Sequence, residues 1–199
     1  MPPAAAAGEA AKIVIRGRRA EDEKGFHKER RTVATRKIVK IGDETLRKVC
    51  RPQEKFDLRL HVLLKDMADT MYKAEGVGLA APQVGILRRI AVVDVTEDHS
   101  GLKELINPEI LESSGTQTGR EGCLSVPERQ GVVTRPMKVK VRFQDRHGNW
   151  MRLETEGFEA RAICHELDHL DGVLYVDKMD RELTEEEIEG EIPEDKQQN

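Results

Sequence analysis

The sequence predicts an α+β fold: a compact single domain of antiparallel strands packed around a central helix that carries an HExxH pattern, with one long helix nearer the N-terminus. Three observations predict it. A stretch with helical apolar spacing comes first, short segments rich in β-branched residues follow, and a second helical stretch comes after them. Strands grouped between helices, rather than alternating with them, are typical of this class.

The first helix is predicted to begin after Asp57, whose side chain can cap the first turn, and to end at Gly76. Its apolar residues recur on one face: Leu60, Leu64, Met67 and Met71. A stripe with this spacing is typical of core packing, and we assign it no other role.

Strands are predicted at residues 87–95 and 102–111, with a break in the second at Asn107-Pro108. A further strand is indicated by apolar residues that alternate with charged or polar ones, namely Val139, Val141 and Phe143. Such alternation is typical of a strand buried on one face only.

Residues 147–149 predict a hairpin turn, with residues 150–155 returning as the partner strand. The second helix is predicted at about residues 158–170, and Gly172 ends it. The folded domain that contains these elements is therefore expected to occupy residues 35–180.

Two charged segments flank this domain. Residues 1–34 are alanine-rich and then densely charged, without apolar periodicity, which predicts a flexible extension. Residues 181–199 form an acidic tail, in which Thr184 and Glu187 have the spacing of a capping box and predict a short helix.

Composition excludes several classes of protein. A formal net charge of -4 and an aromatic content of 4% argue against sequence-specific nucleic-acid binding, which favours basic surfaces and stacking platforms. Three cysteines make no disulfide framework, so a reducing compartment is expected. Without an apolar run long enough to span a bilayer, the sequence predicts a cytoplasmic protein that does not bind membranes.

The clearest chemical signal is the pattern formed by His165, Glu166 and His169. Helix positions four apart lie on one face, so both imidazoles can bind one metal ion. The intervening glutamate lies beside that face, within reach of a water on the ion. Two ligands and one carboxylate base therefore come from a single helical turn.

A catalytic site of this kind needs a third ligand and an open position. Cys123, within Glu121-Gly122-Cys123-Leu124-Ser125, is the upstream candidate. Cys164 is its rival, but it lies about 100° around the helix from His165 and is assigned to the core, as is Cys50. The acids downstream lie in the tail.

A glycine- and alanine-rich segment, residues 76–83, predicts close approach of the backbone to another group. It lacks the Lys-Ser/Thr ending of a phosphate loop. Its last residue, Gln83, carries a side-chain amide that can donate to an oxyanion.

Taken together and in this order, the segments GVGLAAPQ, EGCLS and HELDH resemble the peptide deformylase family, whose signatures are GxGLAAxQ, EGCLS and HExDH. The resemblance covers about residues 36–178. It does not cover the N-terminal extension or the acidic tail.

The resemblance implies a set of metal ligands: Cys123, His165 and His169. It implies that Glu166 acts as general base and then as general acid. The oxyanion donors would be the side-chain amide of Gln83 and the backbone N–H of Leu124. The ion would be Fe²⁺, with Zn²⁺ or another divalent transition metal as alternatives that a thiolate ligand also suits.

The resemblance also implies that the enzyme removes the formyl group from the N-terminal formyl-methionine of new polypeptides. Backbone and side-chain contacts to that peptide are expected from Val77, Gly78, Glu121, Gly122, Phe158 and Ala162, with Arg161 nearby. Asp168 and Glu121 are candidates to orient the metal-bound histidines. Whether the enzyme acts at the ribosome or on released chains is left open, as is the oligomeric state.

Two alternatives share the same pattern. A zinc endopeptidase would take its third ligand downstream and would not need Cys123. A structural Cys-His-His site in a binding module would need a fourth protein ligand, for which Cys164 is badly placed.

Overall fold

A computed structural model describes residues 35–189, so the predicted extension at residues 1–34 and the last ten residues lie outside the described part. The helices are α1 (Leu58–Lys73), α2 (Gly157–Leu170) and α3 (Glu185–Glu189). The strands are β1 (Gly78–Ala80), β2 (Ile90–Val93), β3 (Lys103–Ser114), β4 (Gln117–Cys123), β5 (Val126–Arg135), β6 (Lys138–Gln144), β7 (Trp150–Glu156) and β8 (Arg181–Glu182). No helix in the described range is long and apolar enough to cross a bilayer.

The strands form two antiparallel sheets. One has five strands in the order β1-β2-β3-β6-β7, and the other has three in the order β4-β5-β8. The predicted hairpin is confirmed, because β6 and β7 pair from Lys138↔Glu156 to Gln144↔Trp150 around the turn. With antiparallel sheets and separate helices, the α+β class is confirmed as well.

Helix α1 packs against one face of the five-stranded sheet. The Asp57 side chain accepts hydrogen bonds from the backbone N–H groups of Arg59 and Leu60, as predicted for the cap. The predicted apolar stripe is buried and packs against the following sheet residues: Leu79, Ile90, Val92 and Ile106. The stripe is therefore part of the core.

Helix α2 lies against the opposite face of the same sheet and also contacts the three-stranded sheet. Ala160, Ile163 and Leu167 pack against residues of β2, β3 and β6. Polar residues on another side of α2 hydrogen-bond to β4 and β5. Because α2 is enclosed by both sheets, its polar side chains are buried and need fixed partners.

The predicted break at Asn107-Pro108 does not end the strand. Instead, β3 continues to Ser114, with a register shift between Ile106 and Glu109. Asn107 takes a φ of 50°, and its side-chain amide donates to Gln53 O and Gln144 Oε1. The side chain thus fastens the irregular position where the strand bulges and proline lacks a donor.

The chain beyond residue 180 begins as part of the three-stranded sheet. Strand β8 pairs with Gly131 and Val132 of β5, and Leu183 is buried. Next, the Thr184 hydroxyl accepts from the Glu187 N–H, and the Glu187 carboxylate accepts from the Thr184 N–H. This is the reciprocal pattern of a capping box, and it opens the short helix α3.

Replacing Gly172 with alanine should destabilise the domain by about 3 kcal/mol, as positive φ and steric overlap add together. Gly172 follows α2 at a φ of 74°, and an added Cβ would lie 2.6 Å from the Arg47 carbonyl oxygen. Gly85 has a φ of 79° with no atom within 4 Å of such a Cβ.

Gly85→Ala is therefore the matched control, with an expected cost of about 1 kcal/mol from the backbone alone. Urea unfolding of both variants measures the difference. Equal losses of unfolding free energy would show that the contact with Arg47 contributes nothing.

Candidate metal centre

Cys123 ends strand β4 at a tight connection to β5. The residues opposite each other here are Cys123 and Val126, so only Leu124 and Ser125 form the turn. The Ser125 N–H lies 3.4 Å from Cys123 Sγ and donates to it. The short hairpin thus holds the sulfur at the edge of a sheet, facing helix α2.

The two histidines of α2 lie on the face that meets this sulfur. His169 Nε2 is 3.2 Å from Cys123 Sγ, and the rings of His165 and His169 are 5.0 Å apart between centroids. Both histidines are buried, whereas Cys123 is half-buried. The i, i+4 spacing predicted from the sequence therefore places both rings beside the thiol.

Three donor atoms, one each from Cys123, His165 and His169, lie within 4.8 Å of one another. Bonds of about 2.0–2.3 Å from nitrogen and sulfur to a first-row metal ion span a set of this size. Glu166 Oε2 and His169 Nδ1 are buried without a hydrogen-bond partner in the described part of the chain. A buried polar atom without a partner costs about 1–3 kcal/mol, so Glu166 Oε2 beside this donor set indicates a further bound group.

Glu121 orients His165 from behind. Its carboxylate is fully buried and accepts from His165 Nδ1 at 2.9 Å. The same carboxylate receives two hydrogen bonds from Arg135, each 2.9 Å long. Burial alone would raise the pKa of Glu121, but the hydrogen bonds from His165 and Arg135 outweigh it and hold that pKa well below its usual range. With Nδ1 as donor, His165 presents Nε2 to an ion.

Glu166 is buried next to Gly78, the first residue of the edge strand β1. A Cβ added at Gly78 would lie 2.3 Å from Glu166 Oε1, so only glycine leaves room for this carboxylate. Burial raises the pKa of Glu166 to about 7. A carboxyl group with such a pKa can both accept and return a proton near neutral pH.

Gln83 is fixed by both ends of its amide. Its Oε1 accepts from the Ala80 N–H at 2.8 Å. This leaves Nε2 to donate towards Ser125 Oγ at 3.2 Å and Cys123 Sγ at 3.5 Å. The amide therefore directs its NH₂ group at the donor cluster, as an oxyanion donor requires.

Residues 39–41 hydrogen-bond to two turns of this site. The Val39 N–H donates to Gln83 O, and the Ile41 N–H donates to Ser125 O. Lys40 Nζ donates to Leu124 O at 2.6 Å. This short segment therefore joins the Gln83 turn to the Leu124–Ser125 turn.

Comparison with known proteins agrees with this geometry. Residues 35–185 match the family model described as polypeptide deformylase. The chain belongs to the polypeptide deformylase family. A peptide deformylase of Caldicellulosiruptor bescii is 58% identical over 157 residues, which cover 79% of this chain and 93% of that protein.

Solved deformylase structures share the fold. One from Legionella pneumophila has a TM-score of 0.72 at 46% identity, covering 73% of this chain and 86% of that one. A Met-Ala-Ser-bound class I type b deformylase from Acinetobacter baumannii has a TM-score of 0.70 at 34% identity, covering 74% and 99%.

Several deformylase residues expected from the sequence come together here. The three predicted ligands and Gln83 converge at one place, and Glu166 interacts electrostatically with His165 there. Val77 packs against the cluster that contains Ala162, and Phe158 lies half-buried in the first turn of α2. Gly122 lies half-buried beside Cys123 at the end of β4.

Three expected positions differ. The Glu121 side chain is fully buried behind His165, so of its two expected roles the structure fits orientation of that histidine and not contact with the substrate. Asp168 accepts from Arg135 and Lys178 rather than from a histidine. Arg161, expected near the peptide, turns its guanidinium towards β4 and β5.

Two buried residues of this deformylase site were not singled out from the sequence. Ser125 is fully buried, and its hydroxyl accepts a hydrogen bond from the Gln83 side-chain amide. Arg135 joins Glu121 to Asp168 and is 4% exposed. Arg135 stands at the end of β5, where nothing in the local pattern distinguishes it from a surface arginine.

Replacing Cys123 with serine should reduce retention of a divalent metal by at least about tenfold, because a thiolate in this donor set would bind such an ion much more strongly than a hydroxyl. Cys50→Ser and Cys164→Ser are the controls. Both thiols are buried, and burial raises the pKa of each to about 11.

Metal content after dialysis against a chelator, measured by elemental analysis, tests the assignment. We expect full retention in both controls. Unchanged retention in Cys123→Ser would remove Cys123 from the ligand set and favour the endopeptidase alternative.

Proposed function

We propose that the chain is a metal-dependent deformylase, which hydrolyses the N-formyl group from the N-terminal formyl-methionine of newly made polypeptides and releases formate. The observation that carries this proposal is the meeting of Cys123, His165 and His169, with Glu166 buried beside them, in a chain of this family. The convergence supports hydrolysis of an amide by an activated water.

In this proposal Cys123, His165 and His169 hold the ion. A bound divalent ion supplies a water whose pKa is lowered to about 7 and polarises the formyl carbonyl. We favour Fe²⁺, because one thiolate and two imidazoles suit it; Zn²⁺ is the alternative. An Fe²⁺-thiolate centre would be sensitive to oxygen at Cys123.

Glu166 moves the proton. It accepts a proton from the attacking water as the new bond forms between that oxygen and the formyl carbon. When the carbon–nitrogen bond breaks, Glu166 returns the proton to the leaving amine. The burial that raises its pKa to about 7 supports both transfers, since neither protonation state is strongly favoured at neutral pH.

Gln83 and Leu124 stabilise the developing oxyanion. The Gln83 amide is held by the Ala80 N–H, so its donor needs no reorganisation during the reaction. The backbone N–H of Leu124 lies in the turn directly after Cys123. One such donor is worth about 3 kcal/mol in comparable sites.

The peptide would bind as an added strand along β1. This strand is at the edge of the five-stranded sheet, so its outer backbone groups can pair with an extended chain. Gly78 opens the strand beside Glu166, and Val77, Ala162 and Phe158 are the proposed walls of the methionine pocket. The Met-Ala-Ser ligand of the Acinetobacter baumannii structure supports a peptide with methionine at its first position.

The alternatives fit the site less well. Among residues 35–189, the group of side chains that could hold a metal contains Cys123 and not a downstream acid, which an endopeptidase would need. That group contains three ligands and so leaves an open position, whereas a structural site would be closed by a fourth. We place the reaction in the cytoplasm, where formylated chains are made, at the ribosome or after release.

Glu166→Gln should slow formate release from a formyl-Met peptide by at least about a thousandfold, while metal content stays unchanged. The amide keeps the shape and burial of the side chain but cannot accept a proton. Anaerobically purified, Fe²⁺-loaded protein is assayed for formate. If the folded, Fe²⁺-loaded parent protein releases no formate, the proposed function is wrong.

Gln83→Met should lower kcat by about 10²–10³ and leave KM nearly unchanged, because the amide acts mainly on the transition state. The control is Gln130→Met, which removes an amide on β5 that bonds to Arg120. A normal kcat in Gln83→Met, with metal fully retained, would exclude Gln83 as an oxyanion donor.

A further inference from the structure

Strand β4 and helix α2 run side by side in the same direction, joined at four successive levels. The strand contributes every second residue: Gln117, Gly119, Glu121 and Cys123. The helix contributes every fourth residue: Gly157, Arg161, His165 and His169. We call this set of four contacts the β4–α2 ladder.

The first two contacts of the ladder are structural hydrogen bonds. Gln117 Nε2 donates to Gly157 O at 2.7 Å. Arg161 Nη1 donates to Gly119 O at 3.2 Å, and Arg161 Nη2 donates to Gln117 O at 3.3 Å. They join the beginning of β4 to the first turns of α2.

The last two contacts contain the proposed metal ligands. His165 Nδ1 donates to Glu121 Oε2 at 2.9 Å, and His169 Nε2 lies 3.2 Å from Cys123 Sγ. Cys123 and His169 are therefore the fourth pair of the ladder, and Gln117 and Gly157 are the first.

The repeat distances of the two elements explain why four levels can match. Four helical residues advance by about 6.0 Å, and two strand residues advance by about 6.6 Å. The mismatch of less than about 1 Å per level can be absorbed by side chains. A slip of β4 by one residue would turn Glu121 and Cys123 to the other face of the strand.

We propose that Arg161 is the positioning residue that sets this register and so aligns the cysteine-bearing strand with the histidine-bearing helix. Arg161 is 5% exposed. Besides the two carbonyls of β4, its Nη1 donates to Val133 O at 3.0 Å and Glu121 Oε1 at 3.1 Å. One guanidinium thus connects α2, β4 and β5 with the carboxylate that orients His165.

The choice of residue types supports this role. A planar guanidinium carries five donors in a fixed arrangement, whereas lysine offers a point charge and cannot span several carbonyls at once. At the matching strand position, a Cβ on Gly119 would lie 3.1 Å from Arg161 Nη2. Glycine at 119 therefore allows the close approach that the guanidinium makes.

The inference rests on the proposed metal site, and its test reads the site without turnover. Arg161→Met, Arg161→Lys and Gly119→Ala are prepared as full-length proteins loaded with Co²⁺. The readouts are the thiolate-to-cobalt charge-transfer band and the rate of metal loss to a chelator. Val139→Ala shortens a buried side chain in the core cluster that includes residues of α2. It is the control for a loss of stability alone.

We expect Arg161→Met to lose metal about 10–100 times faster than the parent, with an altered charge-transfer band. Arg161→Lys should recover less than half of the lost metal retention. Lysine keeps the positive charge but cannot donate to several carbonyls at once. Gly119→Ala should change the band in the same direction while keeping Arg161. Val139→Ala should lower the melting temperature without changing the band.

A parent-like band and retention in Arg161→Met or Gly119→Ala would overturn the proposal, as would full rescue by lysine. If Arg161→Met does not fold, the result for Gly119→Ala alone tests the proposal. Formate release by the parent protein is measured separately. A parent that binds Co²⁺ through its thiolate but releases no formate would refute the proposed function and leave the ladder intact.

Discussion

The carboxylate of Glu121 is the interaction on which the centre of this molecule depends. It has no exposure to solvent and accepts hydrogen bonds from Arg135, Arg161 and His165. Removing an ion from water costs several kcal/mol, so the carboxylate is tolerated only because each oxygen is matched by donors. Those donors come from β5 and α2, and one buried group therefore fixes three elements relative to one another.

This arrangement explains how a site assembles from distant parts of the chain. Cys123 belongs to the three-stranded sheet, the histidines belong to α2, and Gln83 follows the edge strand of the five-stranded sheet. None of these elements contains the whole site. Rigidity comes from the contacts between elements, which is how a site is held to the tolerance that catalysis needs.

The three helices of the described part, the β6–β7 hairpin and the three segments that carry the family motifs could be predicted from the sequence, because periodicity and short motifs are local signals. The three-stranded sheet could not. Strand β4 contains two glycines and few apolar residues, and its hydrogen-bond partners on α2 lie at least 40 residues away along the chain. For the same reason two roles were expected for Glu121, substrate contact and orientation of a histidine, because only tertiary structure shows which way its side chain points.

The matched repeats of β4 and α2 also determine where this chain can change length. Inserting or deleting one residue between Gln117 and Cys123, or between Gly157 and His169, would move every later residue of that element to another face. The turn between β6 and β7 is not under this restriction, because loop length affects closure only weakly. The hairpin turn at residues 145–149 contributes no residue to the β4–α2 ladder, so added sequence there would leave the ladder's register unchanged.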